Sequence, residues 1–254
     1  MTFVSSGNYT FYVKEESVYD YNDEGDEVET DSVILYALSV KRQPFPCVKI
    51  ELSKNKKYPI AELQTLNFYT SCSVKKPLDK SIGTIRMIQT LLLYTIKTYP
   101  HITSVELQDE TFIDVPGKPL ITPRRLLMGE KGWYEASVGA LPKKPVLGYH
   151  LHFLRLPSTQ QKVKALLPPE ATHNLWWVPE RIKEVADKLK EGLFAHLIGS
   201  QWTIPASTIR AYDIPIEVTS ATLTPAQTGG FQRKLKRVYQ RAPLNYVSHH
   251  WVGR

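Results

Sequence analysis

"LDKSIGTIRMIQTLLLYTIKTYP", residues 78–100, decides the fold. Ile85, Ile88, Leu92 and Ile96 form one stripe, Met87, Leu91 and Tyr94 widen it, and Pro100 supplies a stop, so the spacing predicts a helix over 84–99. So broad an apolar face is expected to lie against a sheet. Strand-like "LQTLNFYTSCSV" (63–74) precedes it, and "ITSVELQDETFIDV" (102–115) comes after, closed by Pro116-Gly117. A strand–helix–strand crossover of this length implies two neighbouring parallel strands.

Working outward, "YTFYVKEE" (9–16), "SVILYALSVKR" (32–42) and "CVKIELS" (47–53) are rich in β-branched and aromatic residues and read as strands joined by short antiparallel connections. "TPRRLLMGEKGWYEASVG" (122–139) reads as two helices interrupted near Gly129. "GYHLHFLRLP" (148–157) alternates as a strand does, with Tyr149, Leu151 and Phe153 on one face and His150, His152 and Leu154 on the other. The class is α/β, a mixed sheet over 33–155, with an N-terminal strand and acidic segment over 1–32. Beyond Pro157 the character changes. "LPSTQQKVKALLPPEATHNLWWVP" is Pro-rich and irregular, and "PERIKEVADKLKEGLFAHLIG" (179–199) is one amphipathic helix ended by Gly199. "IPIEVTSATL" (214–223) reads as a strand. These make a helical extension over 156–229, and a basic, aromatic tail occupies 230–254.

A chain of 254 residues with 42% hydrophobic and 22% charged residues is long enough and ordinary enough to bury a substantial core. Its longest apolar run, "LLLYTI" at 91–96, is too short to cross a bilayer and is flanked by Arg86, Gln89 and Lys97, so no membrane partner is expected. "MTFVSSGNYTF" has neither a basic leader nor a continuous apolar core, so no signal peptide is expected. Cys47 and Cys72 give neither metal-ligand spacing nor a disulfide framework, and a reducing intracellular setting is the simplest expectation. The net charge of +7 is unevenly placed. "EESVYDYNDEGDEVETDS" (15–32) is acidic without Lys or Arg, and reads as an exposed hairpin loop or a mobile connection. "FQRKLKRVYQRAPLNYVSHHWVGR" (231–254) has no acidic residue.

The turn Ser81-Ile82-Gly83-Thr84 raises a chemical question. A helix N-terminus offers free N–H groups and a positive dipole end, which suit a phosphate or pyrophosphate. Gly83 permits close backbone approach, Ser81 or Thr84 can add a hydroxyl, and Lys80 or Arg86 a positive charge. The dipole alone contributes roughly 0.3–1 kcal/mol at an exposed site, so several of these must act together. Ordinary helix capping is the plainer reading of the same residues.

The wider run "LNFYTSCSV…LDKSIGTIRMIQTLLLYTIKTYPHITSVELQDETFI…LLMGEKGWYE" resembles the GNAT-like proteins of large DNA viruses, divergent relatives of the acyl-CoA-dependent N-acetyltransferases. The resemblance rests on the Gly83-Thr84 turn before a long helix, the Leu107-Gln108-Asp109 strand, and Gly129 with Trp133-Tyr134-Glu135 after it. It covers about 65–140 and implies a GNAT-like mixed sheet. It places the cofactor pyrophosphate of acetyl-CoA on Lys80, Ser81, Ile82, Gly83, Thr84 and Ile85. It also nominates Tyr134 as the acid toward the leaving thiolate, with Asp109 and Glu110 as candidate bases toward the incoming ammonium. The family's turn normally opens with Gln or Arg and carries two small residues near its end. Here Lys80 opens it and Ile85 stands where the second small residue belongs. Structural roles compete for the same residues: aromatic anchoring for Trp133 and Tyr134, and capping of the next turn for Asp109.

Other constellations carry less. His150 and His152 would share a strand face as metal ligands do, but no Cys or carboxylate lies nearby in sequence, so no metal site is expected. His249-His250 adds nothing to this, and no nucleophile triad is visible from spacing. Trp176-Trp177 is either a docking patch or buried beneath the 179–198 helix. In the tail, Phe231, Leu235 and Val238 share a helical face. Arg233, Lys234, Lys236, Arg237, Arg241 and Trp251 are candidates for binding nucleic acid or a protein partner, unless they are solvated or fold over the chain's own acidic segment. The expectation is a non-catalytic interaction or virion-associated protein inside the host cell, in cytoplasm or nucleus, with no certain cofactor. The alternative is an N-acyltransferase using acetyl-CoA, and a nucleic-acid-binding role through the tail is the lesser one.

Overall fold

Val33, Leu35 and Ala37 on β3 (Glu27–Leu38) and Val48, Ile50 and Leu52 on β4 (Val48–Ser53) are buried, while the residues between them are half-buried on the other face. That alternation, the period of a strand with one face in a core, sets the sheet. The computed structural model describes residues 2–21, 27–39, 41, 45–109 and 120–220. The remaining strands are β1 (Thr2–Ser6), β2 (Tyr9–Tyr21), β5 (Ile60–Leu66), β6 (Ser104–Gln108), β7 (Leu141–Pro142), β8 (Gln201–Pro205) and β9 (Glu217–Ser220). All nine form one sheet in the order β7-β8-β6-β5-β4-β3-β2-β1-β9. Only β5 and β6 pair in parallel, and the other pairs are antiparallel. The protein is a mixed α/β fold, with the parallel pair where the crossover around residues 78–100 requires it.

The register aligns the buried residues into rows. Trp202, Leu107, Leu63, Ile50 and Leu35 stand side by side across five strands, and Ile204, Val105, Ala61, Leu52 and Val33 form the next row. Helix α1 (Ile82–Thr98) buries Met87, Ile88, Leu91, Leu92, Thr95 and Ile96. Its Leu91, Tyr94 and Thr95 line a small space between helix and sheet together with Val13, Leu35, Ala37 and Ile50. The opposite face carries Glu51, Glu62, Gln64 and Glu106, with Gln64 bonded to Glu51 across strands (2.5 Å) and Lys143 paired with Glu106.

Six more helices come next in the chain: α2 (Ile121–Leu127), α3 (Trp133–Val138), α4 (Pro145–Arg155), α5 (Pro157–Leu166), α6 (Pro179–Leu189) and α7 (Leu193–Leu197), with α8 (Ala206–Arg210) after β8. The helical pair expected around Gly129 is α2 and α3. Helices α2, α4, α5, α6 and α7 pack on one another, while α3 and α8 pack against α1.

Several expectations are corrected. The segment 148–157 is not a strand but most of α4: Pro145 opens the helix at its first turn, and Leu147, His150, Leu151 and Leu154 are buried at helical spacing. Residues 157–166 are helical, not irregular. The single helix over 179–198 is two, because Gly192 takes φ +74° between α6 and α7. The strand reading of 63–74 stops at Leu66, and a 3-10 turn, Thr70–Cys72, lies beyond it. The acidic stretch is largely β2 and β3, a long hairpin, with residues 22–26 outside the described residues. Residues read as an extension, 156–229, supply β8 and β9 to the same sheet, and the sequence reading has no strand at β1, β7 or β8. Glu110, the segment 111–119 and the tail from 221 onward lie outside the described residues.

Cys47 and Cys72 are joined as a disulfide, which corrects the expectation of none. The reason lies in the path of residues 67–78 across the ends of three strands. Asn67 donates from N–H to the Cys47 carbonyl (2.7 Å), and Ser71 Oγ meets Ser39 Oγ beyond β3 (2.6 Å). Val74 donates to the Thr10 carbonyl on β2 (2.7 Å), and Thr10 N–H donates to Ser73 Oγ (3.2 Å). This crossing brings the two cysteines to a Cα separation of 5.9 Å, within reach of a bridge.

Candidate functional site

The same crossing delivers Asp79 to the N-terminus of α1. Its Oδ1 accepts hydrogen bonds from Gly83 N–H (2.8 Å), Ser81 N–H (3.2 Å) and the Ser81 hydroxyl (3.3 Å). The Tyr9 hydroxyl, at the start of β2, donates to Oδ2. The helix end that the sequence offers as a phosphate cradle therefore holds a carboxylate of the chain itself. The Gly83 N–H bond, then the Tyr9 hydroxyl, hold the Asp79 carboxyl down at about 2, below the ordinary carboxylate value, and the bond to Asp79 raises Tyr9 in turn. Gly83 has no room to spare: a Cβ there would lie 3.1 Å from Asp79 Oδ2 and from Leu78 Cδ1.

The other residues of the turn are also placed. Thr84 is buried, and its hydroxyl donates to the Lys80 carbonyl (3.3 Å). Ile82 is 68% exposed, Lys80 is exposed and Ile85 half-buried. Through Tyr9 and Thr10 the turn stands over β2, three strands from β5, a distance of roughly 14 Å at ordinary strand spacing. Asp79 went unread in the sequence. Its signal was local, an Asp two residues before Ser81 and four before Gly83, in the pattern of an Asx turn entering a helix.

Asp109 and Tyr134 belong to a different neighbourhood. Pairing between β5 and β6 ends at Leu63 and Leu107, while β5 keeps β4 beyond a bulge at Gln64 and β6 keeps β8 through Gln108. Asp109 comes directly after, is 8% exposed, and donates from N–H to the Ser200 carbonyl (2.9 Å). Ser200 Oγ accepts from the Trp202 indole (2.9 Å), and the Trp202 ring lies under Gly132, the residue before α3. Tyr134, on the first turn of α3, is half-buried with its ring edge-on to Trp133 at 5.0 Å. Glu135 steadies α3 by accepting from Gly132 N–H (3.3 Å) and from the Arg155 guanidinium (2.6 Å). Gln89 of α1 donates to the Ser137 carbonyl (2.9 Å). Glu110 lies outside the described residues, as do Arg233, Lys234, Lys236, Arg237, Arg241 and Trp251.

The histidine reading changes with the helix. Two residues on a helix are separated by about 200°, so His150 and His152 do not share a face: His150 is 3% exposed and His152 is exposed. The neighbour that sequence spacing could not show is His196 of α7, whose ring stacks on His150 at 4.7 Å, while the Lys190 ammonium sits 4.3 Å over the adjacent Tyr149 ring. His150 Nδ1 is buried without a hydrogen-bond partner among the described residues, and there is no group of three metal-ligating side chains among them. Burial first, then the charges of Lys190 and His196, lower the His150 pKa. A base depressed in the folded state favours folding fully above its unfolded value near 6.5, and that contribution is lost as pH falls below it. Wild type should therefore lose a few degrees more in Tm than His150→Leu between pH 7.5 and 5.5, and an NMR titration should place His150 below 6.5. Parallel pH profiles for the two proteins would show that His150 does not carry this dependence.

Trp176 and Trp177 are buried, not a docking patch. The Trp177 indole donates to the Ala171 carbonyl (2.8 Å), and the Arg124 guanidinium lies 5.4 Å over its ring. Among the described residues no helix is long and apolar enough to cross a membrane. No protein-family model, no curated protein and no solved structure matches this chain.

Proposed function

We infer that this chain is a GNAT-like viral protein that has given up acyl transfer and works by binding other molecules. The GNAT-like part of the reading is supported by the β5–α1–β6 crossover, which puts one parallel pair in an otherwise antiparallel sheet. The loss of catalysis is carried by one observation: Asp79 already occupies the N–H groups of Ser81 and Gly83 on which a pyrophosphate would sit. A pyrophosphate arriving there, with a negative charge on each phosphate, meets a carboxylate held ionised down to about pH 2. The Cys47–Cys72 bridge favours a virion-associated location within the host-cell setting, because disulfides persist on virion surfaces and are rare in cytosol and nucleus.

The acyltransferase reading, with Tyr134 as acid and Asp109 as base, has one observation in its favour. Strands β5 and β6 part beyond Leu63 and Leu107, and open α/β sheets bind ligands beyond the carboxyl ends of their strands. It requires Asp79 to yield its place.

Acetyl-CoA at millimolar concentration should leave the Tm of the wild-type protein unchanged. Ligand at 100 times its Kd would instead stabilise the fold by about 2.7 kcal/mol, and a shift of that size, abolished by Gly83→Trp, would overturn the non-catalytic reading. Asp79→Asn keeps the hydrogen-bonding shape but removes the charge at the helix N-terminus, and should lower the Tm by roughly 1–3 °C at pH 7. A carboxylate depressed in the folded state stabilises fully above its unfolded value of 3.8, so the gap between wild type and Asp79→Asn should close as pH falls toward 2. Equal Tm values at pH 7 would show that Asp79 does not hold the turn.

A further inference from the structure

The hairpin of β2 and β3 outruns the sheet. Strand β1 accompanies β2 only from Tyr9 to Val13, and β4 accompanies β3 only back to Ser32, yet β2 and β3 go on pairing out to Tyr21 and Glu27. From Lys14 to Tyr21 the outer edge of β2 has no strand beside it among the described residues. This open edge is about 26 Å long at ordinary strand rise. It ends in a two-stranded ribbon that exposes Tyr19 (53%) and Val28 (47%). A two-stranded ribbon is marginal alone, and an open edge is a template for another segment.

The described part of the chain ends beside that edge. Strands β9 and β2 both run antiparallel to β1, so they point the same way, and Ser220 and Val13 both lie opposite Thr2. Strand β9 therefore ends about 10 Å, two strand spacings, from the point where the open edge begins, and points in the direction of that edge. Residues 221–232 can span roughly 40 Å when extended, enough to carry the basic segment after them along the whole edge. That segment holds Arg233, Lys234, Lys236, Arg237 and Arg241, and no acidic residue occurs from 221 to 254. By sequence, the paired strands β2 and β3 carry Glu15, Glu16, Asp20, Glu27, Glu29 and Asp31. Lys14 pairs with Glu16, and Lys54 with Glu29 (3.4 Å), so these two carboxylates are partly neutralised and the ribbon as a whole stays negative.

We propose that the basic segment 231–241 docks along the open β2 edge of the acidic ribbon in its own chain. The tether raises its local concentration to the millimolar range, which no free polyanion partner matches without displacing it. The contact is between exposed charges, so it weakens steeply with salt. It is independent of whether the α1 N-terminus ever holds a cofactor.

Zero-length carbodiimide cross-linking of the full chain tests this, using an equal mixture of ¹⁴N- and ¹⁵N-labelled protein read by mass spectrometry. The Lys183–Asp187 and Lys188–Glu184 pairs of α6 serve as internal positive controls. The expected result is a link from Lys234 or Lys236 to a carboxylate between Glu15 and Asp31 within single-isotope species. Its yield should fall at least about fivefold between 0.05 and 0.5 M salt. The α6 links forming without any ribbon link would overturn the proposal. So would ribbon links found chiefly in mixed-isotope species, which would assign the ribbon to a second copy.

Discussion

Reducing the Cys47–Cys72 bridge should cost the fold about 3–4 kcal/mol, the loop-closure entropy expected for a sequence separation of 25. At this chain length that corresponds to a fall of about 10 °C in Tm. The loss should fall first on residues 67–78, because the bridge anchors them where they begin their path across β4, β3 and β2. That path is what sets Asp79 against Tyr9 and the first N–H groups of α1. Urea unfolding with and without a phosphine reductant, beside a Cys47→Ala, Cys72→Ala double variant, separates the bridge from the packing of two fully buried sulfurs. The reduced protein keeps both sulfurs in the core, so it should fall between wild type and the double variant. Coincident urea midpoints for oxidised and reduced protein would show that the crossing segment holds its place without the bridge.

The contrast between what the sequence disclosed and what it hid comes from where each signal resides. Strands β3 and β4 and helix α1 were legible because their periods of two and 3.6 residues report one buried face, and that face is a property of the element alone. The parallel β5–β6 pair was legible from the length of the crossover. Helix α4 misled because Tyr149 to Leu154 alternate over six residues, too short a window to separate the periods; Leu147 and the proline at 145 held the helical signal. Strand β8 is five residues with proline at its end, and it becomes a strand because β6 and β7 flank it. The candidate site suffered most. The turn at Ser81 to Thr84 could be read as an anion seat, and its occupant Asp79 left a local mark, but the Tyr9 hydroxyl that completes the arrangement comes from seventy residues earlier in the chain. The His150–His196 stack depends on α4 and α7 meeting. Chemistry made by tertiary contact leaves no periodic trace.

Trp202→Ala should be the most damaging single substitution near Asp109 and α3, at about 3–5 kcal/mol. The indole is 1% exposed, and on β8 it closes the end of the apolar row that runs through Leu107 and Leu63. Its ring lies 3.5 Å from where a Cβ on Gly132 would sit, so it props the entry to α3 and the first turn that carries Tyr134. Its Nε1 donates to Ser200 Oγ, and the Ser200 carbonyl accepts the Asp109 N–H, so the cavity left by alanine would open between the two. Trp202→Phe keeps much of the volume and removes only the donor to Ser200, and should cost about 1–3 kcal/mol. Ile82→Ala, at a side chain 68% exposed on α1, should stay within about 0.5 kcal/mol and controls for handling. Denaturant midpoints rank the three, and hydrogen exchange at Asp109 and through α3 locates the damage. If Trp202→Ala unfolded no more easily than Trp202→Phe, the packing of the ring would not be what holds the entry to α3 against β8. The hydrogen bond to Ser200 would then have to carry that role.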